Sequence, residues 1–160
     1  MTRRPRTVSG TAGPGFSGVP TVPTVLLADA SASARAMVRD ALLEGVGPCD
    51  LRTVTSAQEL EEYLQQGDAT PALILIDAEL PGNEDFDAVR SIKSNPDHRR
   101  IPVVVLAQSA STAQTAAAYD AGANTLIAKP VTFLALVKLM KVFTAYWLDA
   151  ATLPAEPETS

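Results

Sequence analysis

Asp29, Asp77 and Lys129 each stand directly after a short apolar run. Val25-Leu26-Leu27-Ala28 precedes Asp29, Ala72-Leu73-Ile74-Leu75-Ile76 precedes Asp77, and Thr125-Leu126-Ile127-Ala128 precedes Lys129, with Pro130 next. Two carboxylates and one ammonium gathered on a single rim have a chemical use. A carboxylate can accept a phosphoryl group and become an acyl phosphate. A divalent cation held by a second carboxylate offsets the charge of the incoming oxygens. A lysine pairs with phosphoryl oxygens as a point charge. An aspartate that closes a buried strand is also a common turn former or helix cap, so any one of these residues says little alone. Three in the same place after three separate strands make a much rarer accident.

The elements that must bring them together alternate along the chain. Val25–Ala28 reads as a strand covered on both faces. A helix over Ser33–Glu44 sets Ala34, Met37, Val38, Ala41 and Leu42 on one apolar face and ends at Gly45 and Gly47. Leu51–Val54 is a second strand, and Ser56 with Glu59 forms a capping box for a helix to Gln66. Ala72–Ile76 is the third strand and Glu84–Ser94 the third helix; Pro102–Leu106 is the fourth strand and Thr112–Ala121, closed by Gly122, the fourth helix. Thr125–Ala128 is the fifth strand, and Thr132 caps a last helix to about Leu148. Strict strand–helix alternation predicts an α/β fold: a doubly wound, flavodoxin-like, five-stranded parallel sheet with helices on both faces. In such folds the site lies at the carboxyl ends of the strands, where Asp29, Asp77, Ala107 and Lys129 fall.

Bulk properties agree with one domain. The chain has 160 residues, 46% hydrophobic and 5% aromatic, so its core is aliphatic. Net charge is −5, which excludes the basic footprint of a nucleic-acid binder. Residues 1–23 carry Arg3, Arg4 and Arg6 with four prolines and four glycines, and read as a disordered leader. Residues 24–148 form the domain, and 149–160 a tail of similar character. A single cysteine, Cys49, allows no internal disulfide and fits a reducing compartment. No secretory signal or membrane-spanning stretch is apparent, so a cytoplasmic protein without membrane contact is expected.

Three segments together resemble the receiver domains of two-component response regulators: Val25–Asp29, Leu75-Ile76-Asp77-Ala78-Glu79-Leu80-Pro81-Gly82, and Ala121-Gly122-Ala123-Asn124 through Lys129-Pro130. Ile101–Leu106, Ala145-Tyr146-Trp147-Leu148 and Leu153-Pro154 further resemble the single-domain regulators paired with bacterial phytochromes. The resemblance implies a phosphorelay signalling module rather than an enzyme, partnered by a sensor histidine kinase or another signalling protein. It implies that Asp77 is the phosphoacceptor and that Asp29, Asp77 and the backbone carbonyl of Glu79 hold Mg2+. It further implies that Lys129 contacts the phosphoryl group and that the Lys129–Pro130 bond is cis.

The sequence departs from that pattern at four places. Ala30 replaces the second acid of the pair, a usual magnesium ligand. Ala107 replaces the Thr or Ser hydroxyl that follows the phosphoryl group. Leu126 replaces the aromatic that swings with it, and Asp85 replaces a common glycine. Cation affinity depends on ligand charge and count, so Mg2+ binding is expected to be weak or absent. A switch without its hydroxyl has little differential energy between states. The expectation is weak or atypical phosphorylation. The alternative is a phosphate-independent pseudo-receiver that acts as an interaction module. A flavodoxin-like enzyme or nucleotide binder is disfavoured, because Ala30-Ser31-Ala32-Ser33 offers no phosphate cradle.

Other features have simpler readings. The last helix carries more apolar residues than one face needs, from Phe133 to Trp147, and this predicts a homodimer through that helix and the fifth strand. His98 reads as a solvated loop residue and Cys49 as a half-buried inert thiol. Only 12 residues follow Leu148, so no DNA-binding output is expected.

Overall fold

The structure, a computed structural model, describes residues 22–45, 49–66 and 69–150. The leader over residues 1–21, Gly47, and the tail from 151 with Leu153-Pro154 lie outside the described residues. Five strands, β1 (Thr24–Ala28), β2 (Asp50–Val54), β3 (Leu73–Asp77), β4 (Val103–Ala107) and β5 (Thr125–Ala128), alternate with α1 (Ala32–Gly45), α2 (Ala57–Gln66), α3 (Asp87–Ser94), α4 (Thr112–Ala121) and α5 (Phe133–Thr144). All strand pairs are parallel, in the order β2-β1-β3-β4-β5.

Every residue of β1, β3 and β4 is buried, as expected of strands covered on both faces. Alternation divides them between two cores. Leu26, Ile74, Ile76, Val103 and Val105 pack with Leu60 of α2, Val89 and Ile92 of α3, and Ala118 of α4. Val25, Leu27, Leu75, Val104 and Leu106 pack with Val38 and Ala41 of α1 and Val137, Met140 and Phe143 of α5. Each such aliphatic side chain contributes about 1.5–3 kcal/mol on burial. This is the three-layer sandwich that the alternation implied. Met37 departs from its expected face: it is 41% exposed, outside the core that Val38, Ala41 and Leu42 join.

Local chemistry sets the helix ends. Ser56 Oγ accepts the Glu59 N–H at 3.1 Å, but Glu59 Oε1 reaches back to Thr55, taking its N–H at 2.7 Å and its hydroxyl at 2.8 Å. The reciprocal bond thus lands one residue earlier than in a simple capping box. Ser111 Oγ accepts from Gln114 N–H at 3.1 Å to open α4, and Gly122, at φ 109°, closes it in the left-handed conformation.

The third helix is not the single run expected from Glu84. Residues Glu84–Phe86 form a 3₁₀ turn before α3, because Asp85 (φ 52°) and Phe86 (φ 59°) are left-handed. Only glycine enters that region without a Cβ penalty, so both side chains are held there at a cost. The last helix is regular only to Thr144 and continues π-helically over Ala145–Ala150. At that junction the Thr144 hydroxyl donates to Met140 C=O at 2.7 Å, a bond that competes with the helical ladder.

Candidate functional site

Register brings the strand ends level. Ala28 pairs with Ile76, so Asp29 and Asp77 leave neighbouring strands side by side, and Ala107 pairs with Ala128, which precedes Lys129. Asp29, Asp77 and Lys129 also share strand parity with Leu27, Leu75 and Ile127, so they emerge toward one face. Lys129 Nζ lies 3.1 Å from Asp29 Oδ2 and 3.2 Å from Asp77 Oδ1. The three residues that the sequence singled out therefore form one cluster.

The surroundings fix each member. Asp29 is 1% exposed. Its Oδ1 accepts the Ser31 N–H at 2.9 Å, and its own N–H donates to Val54 C=O at 3.0 Å. Asp77 is buried, and its Oδ1, although close to the ammonium, has no hydrogen-bond donor among the described residues. The Lys129 approach to it is thus an ionic contact without hydrogen-bond alignment, and the oxygen retains capacity for a cation or donor. Burial opposes the charge on Lys129, but the hydrogen bond and attraction of Asp29, then the attraction of Asp77, outweigh it and hold the pKa above the ordinary lysine range. Backbone bonds secure the rim: Lys129 N–H donates to Ala107 C=O and Leu80 N–H to Asp77 C=O. The latter bond closes a turn that contains Glu79, whose side chain is exposed.

The Lys129–Pro130 bond is trans, against the cis expectation; no cis peptide occurs among the described residues. Trans is the intrinsically favoured isomer by about 0.5–1 kcal/mol, and Lys129 reaches both carboxylates from it.

The departures also have places. Ala30 is exposed and brings no ligand atom to the rim. Among the described residues no group of three His, Cys, Asp or Glu side chains is arranged to hold a metal. Ala107 is fully buried, and Leu126 packs half-buried on the α2–α3–α4 core. Sequence reasoning missed two side chains that tie down backbone of the site-bearing strands. Arg35 of α1 donates to Asp29 C=O at 2.8 Å and ties the β1–α1 loop down. Tyr119 of α4 covers the edge of β5: its hydroxyl accepts the Leu126 N–H at 3.3 Å and meets Thr125 Oγ1 at 3.1 Å. Neither stands at a strand end, where the fold rule places functional groups.

Two minor readings separate here. Cys49 is half-buried, and burial followed by the charge of Asp50 pushes its thiol pKa up, which makes it a poor nucleophile. His98 is half-buried against α2 and α3 rather than freely solvated, its N–H donating to Asn95 C=O at 3.0 Å.

Comparison with known proteins follows the same lines. The response regulator receiver domain model matches residues 25–141. Response regulator Rcp1 of Synechocystis sp. is 34% identical over 105 residues, covering 66% of this chain and 70% of the relative. The phosphorylated cyanobacterial phytochrome response regulator RcpA superposes with a TM-score of 0.76 at 31% identity, covering 84% of this chain and 100% of that one. The Mn2+-bound form of Rcp1 gives 0.73 at 29% identity, with 83% and 99% covered. The chain belongs to the response regulator receiver domain family and is a flavodoxin-like module of two-component signalling.

Proposed function

We propose that Asp77 is the phosphoacceptor of a two-component relay, with Lys129 contacting the phosphoryl group, and that phosphorylation is weak or atypical. One observation carries the reading: a single ammonium within 3.1 and 3.2 Å of two carboxylates drawn from separate strands. An Asp77 oxygen attacks the phosphorus of a phosphohistidine on a sensor kinase. The P–N bond breaks, and the histidine nitrogen leaves with the electron pair and takes a proton. Lys129 meets the charge of the transferred oxygens.

Asp29, Asp77 and the Glu79 carbonyl are hard oxygen donors that would hold Mg2+, which when bound offsets phosphoryl charge. The donor-free Asp77 Oδ1 fits that role. The Mn2+-bound form of Rcp1 supports it by likeness. Ala30 adds no charge to the set, and Lys129 already balances part of it, so the affinity is low.

A second reading, a phosphate-independent interaction module, is favoured by the buried methyl of Ala107 and the aliphatic Leu126, which leave the readout strand nothing polar to move. Exposed Leu134, Val142 and Tyr146 on the last helix, together with the position of β5 at the sheet edge, support a homodimer; a monomer mass by light scattering at high protein concentration removes it. The receiver unit is read as residues 24–148, working in the cytoplasm with protein partners and without nucleic acid; no described helix is long and apolar enough to cross a membrane.

Intact mass after incubation with a small phosphodonor and Mg2+ tests the assignment. A minority of molecules should gain one phosphoryl group, and Asp77→Asn should gain none. Near-complete conversion overturns weak phosphorylation, and no gain at any donor concentration selects the interaction module.

A further inference from the structure

We infer that the groove between α2 and α3 docks a partner segment carrying an aliphatic anchor flanked by lysine or arginine. The inference is independent of whether Asp77 is phosphorylated. The groove encloses about 380 Å³, and Leu60 and Leu64 of α2 and Ile92 of α3 line it. That volume matches pockets that bury a side chain or small ligand, roughly 300–1,000 Å³.

Charge decides what fits around the anchor. The α2 helix carries Glu59, Glu61 and Glu62, all exposed, and no base. Among the described residues Glu61 and Glu62 accept only amide hydrogens, from Gln65 at 3.4 Å and Gln58 at 3.3 Å, and form no ion pair. On the facing wall Asp87 lines the groove and is paired with Arg90 at 3.0 Å, and exposed Glu84 and Asp85 precede it in the chain. At the far end His98 lines the groove, and Arg99 and Arg100 follow it. The partner's bases must therefore lie toward the Asp87 end, which sets its direction.

That end is also the wall joined to Asp77. Gly82 and Asp87 line the groove. Between them sit Asn83, whose buried Nδ2 has no partner among the described residues, and the consecutive left-handed Asp85 and Phe86. A segment seated there touches backbone held at a cost, in the loop directly after the phosphoacceptor position.

Two probes test this on the full chain: a labelled leucine–lysine amphipathic helix, and the same helix with glutamate for lysine. Fluorescence anisotropy gives affinity, and backbone amide shifts give location. The lysine helix should bind more tightly and shift amides over Leu60–Gln65 and Ala88–Asn95. Ser91→Trp, which fills the groove from an exposed position, and Glu61→Lys, which reverses its charge, should each weaken binding on the order of tenfold, with unchanged melting curves showing both folded. Shifts confined to α5, β5 or α1, or unchanged affinity in both folded variants, overturn the proposal. So does tighter binding after Arg3, Arg4 and Arg6→Ala, which would place the chain's own N-terminal segment in the groove. A dimer abolished by Ser91→Trp would place a second copy there and overturn it equally.

Discussion

The carboxyl ends of β1, β3 and β5 and the carboxyl end of β4 lie on the same rim and differ in chemistry. The first set keeps two acids in contact with one base, while the second ends in the buried methyl of Ala107, with Leu126 on the adjacent strand. Under the proposed assignment, capture of a phosphoryl group and its readout therefore fall to different strand ends. The first needs fixed charges at short range, and the second needs a polar group with two alternative places to be. This chain retains the charges and lacks the mobile hydroxyl.

Removing the charge from the capturing half should have the largest effect. Lys129→Met leaves two buried carboxylates without their cation and should cost about 3 kcal/mol in urea unfolding. Adding Asp29→Asn to it should return part of that loss, because one of the two repelling charges is then gone. The same pairing fixes a pH dependence. The Lys129 pKa is raised on folding, so its stabilisation is fully present below the unfolded lysine value near 10.4 and is lost as pH rises through the higher folded value. Melting temperature should fall more steeply above that pH in the wild type than in Lys129→Met.

Restoring the missing hydroxyl sharpens the contrast from the other side. Ala107 is fully buried, so Ala107→Thr should destabilise by about 1–2 kcal/mol through overpacking. Amide shifts over β4 and β5 that respond to phosphodonor in this variant and not in the wild type would show that readout failed for want of that one group. A smaller gain is expected in the loop between the two regions: Asp85→Gly, at φ 52°, should stabilise by up to about 1 kcal/mol in the same urea assay. Least of all, Glu59→Gln should cost less than about 1 kcal/mol. The Glu59 pKa is held down first by the Thr55 N–H and then by its hydroxyl, so its contribution is present above the ordinary glutamate value and disappears as pH falls through the lower folded one. The wild-type and variant melts should therefore converge in acid.

The order of elements, the doubly wound sheet and the three charged strand ends were legible in the one-dimensional pattern. Short apolar runs and turn residues act locally, and parallel sheets send their strand ends to one rim. The break at Asp85–Phe86, the trans Lys129–Pro130 bond and the π-helical end after Thr144 were not legible. Each is a local backbone choice made among conformers separated by a kilocalorie or two, and packing decides between them. Arg35 on the Asp29 carbonyl and Tyr119 over the β5 edge were equally hidden, since no periodicity encodes which long side chain reaches a distant backbone group. Which charges meet was already written along the chain, because each follows a short apolar run and parallel strands send those ends to one rim. How closely they meet, which oxygen is left without a donor and what the buried methyl of Ala107 displaces came only with packing, because distance and burial belong to the folded chain and not to any segment of it.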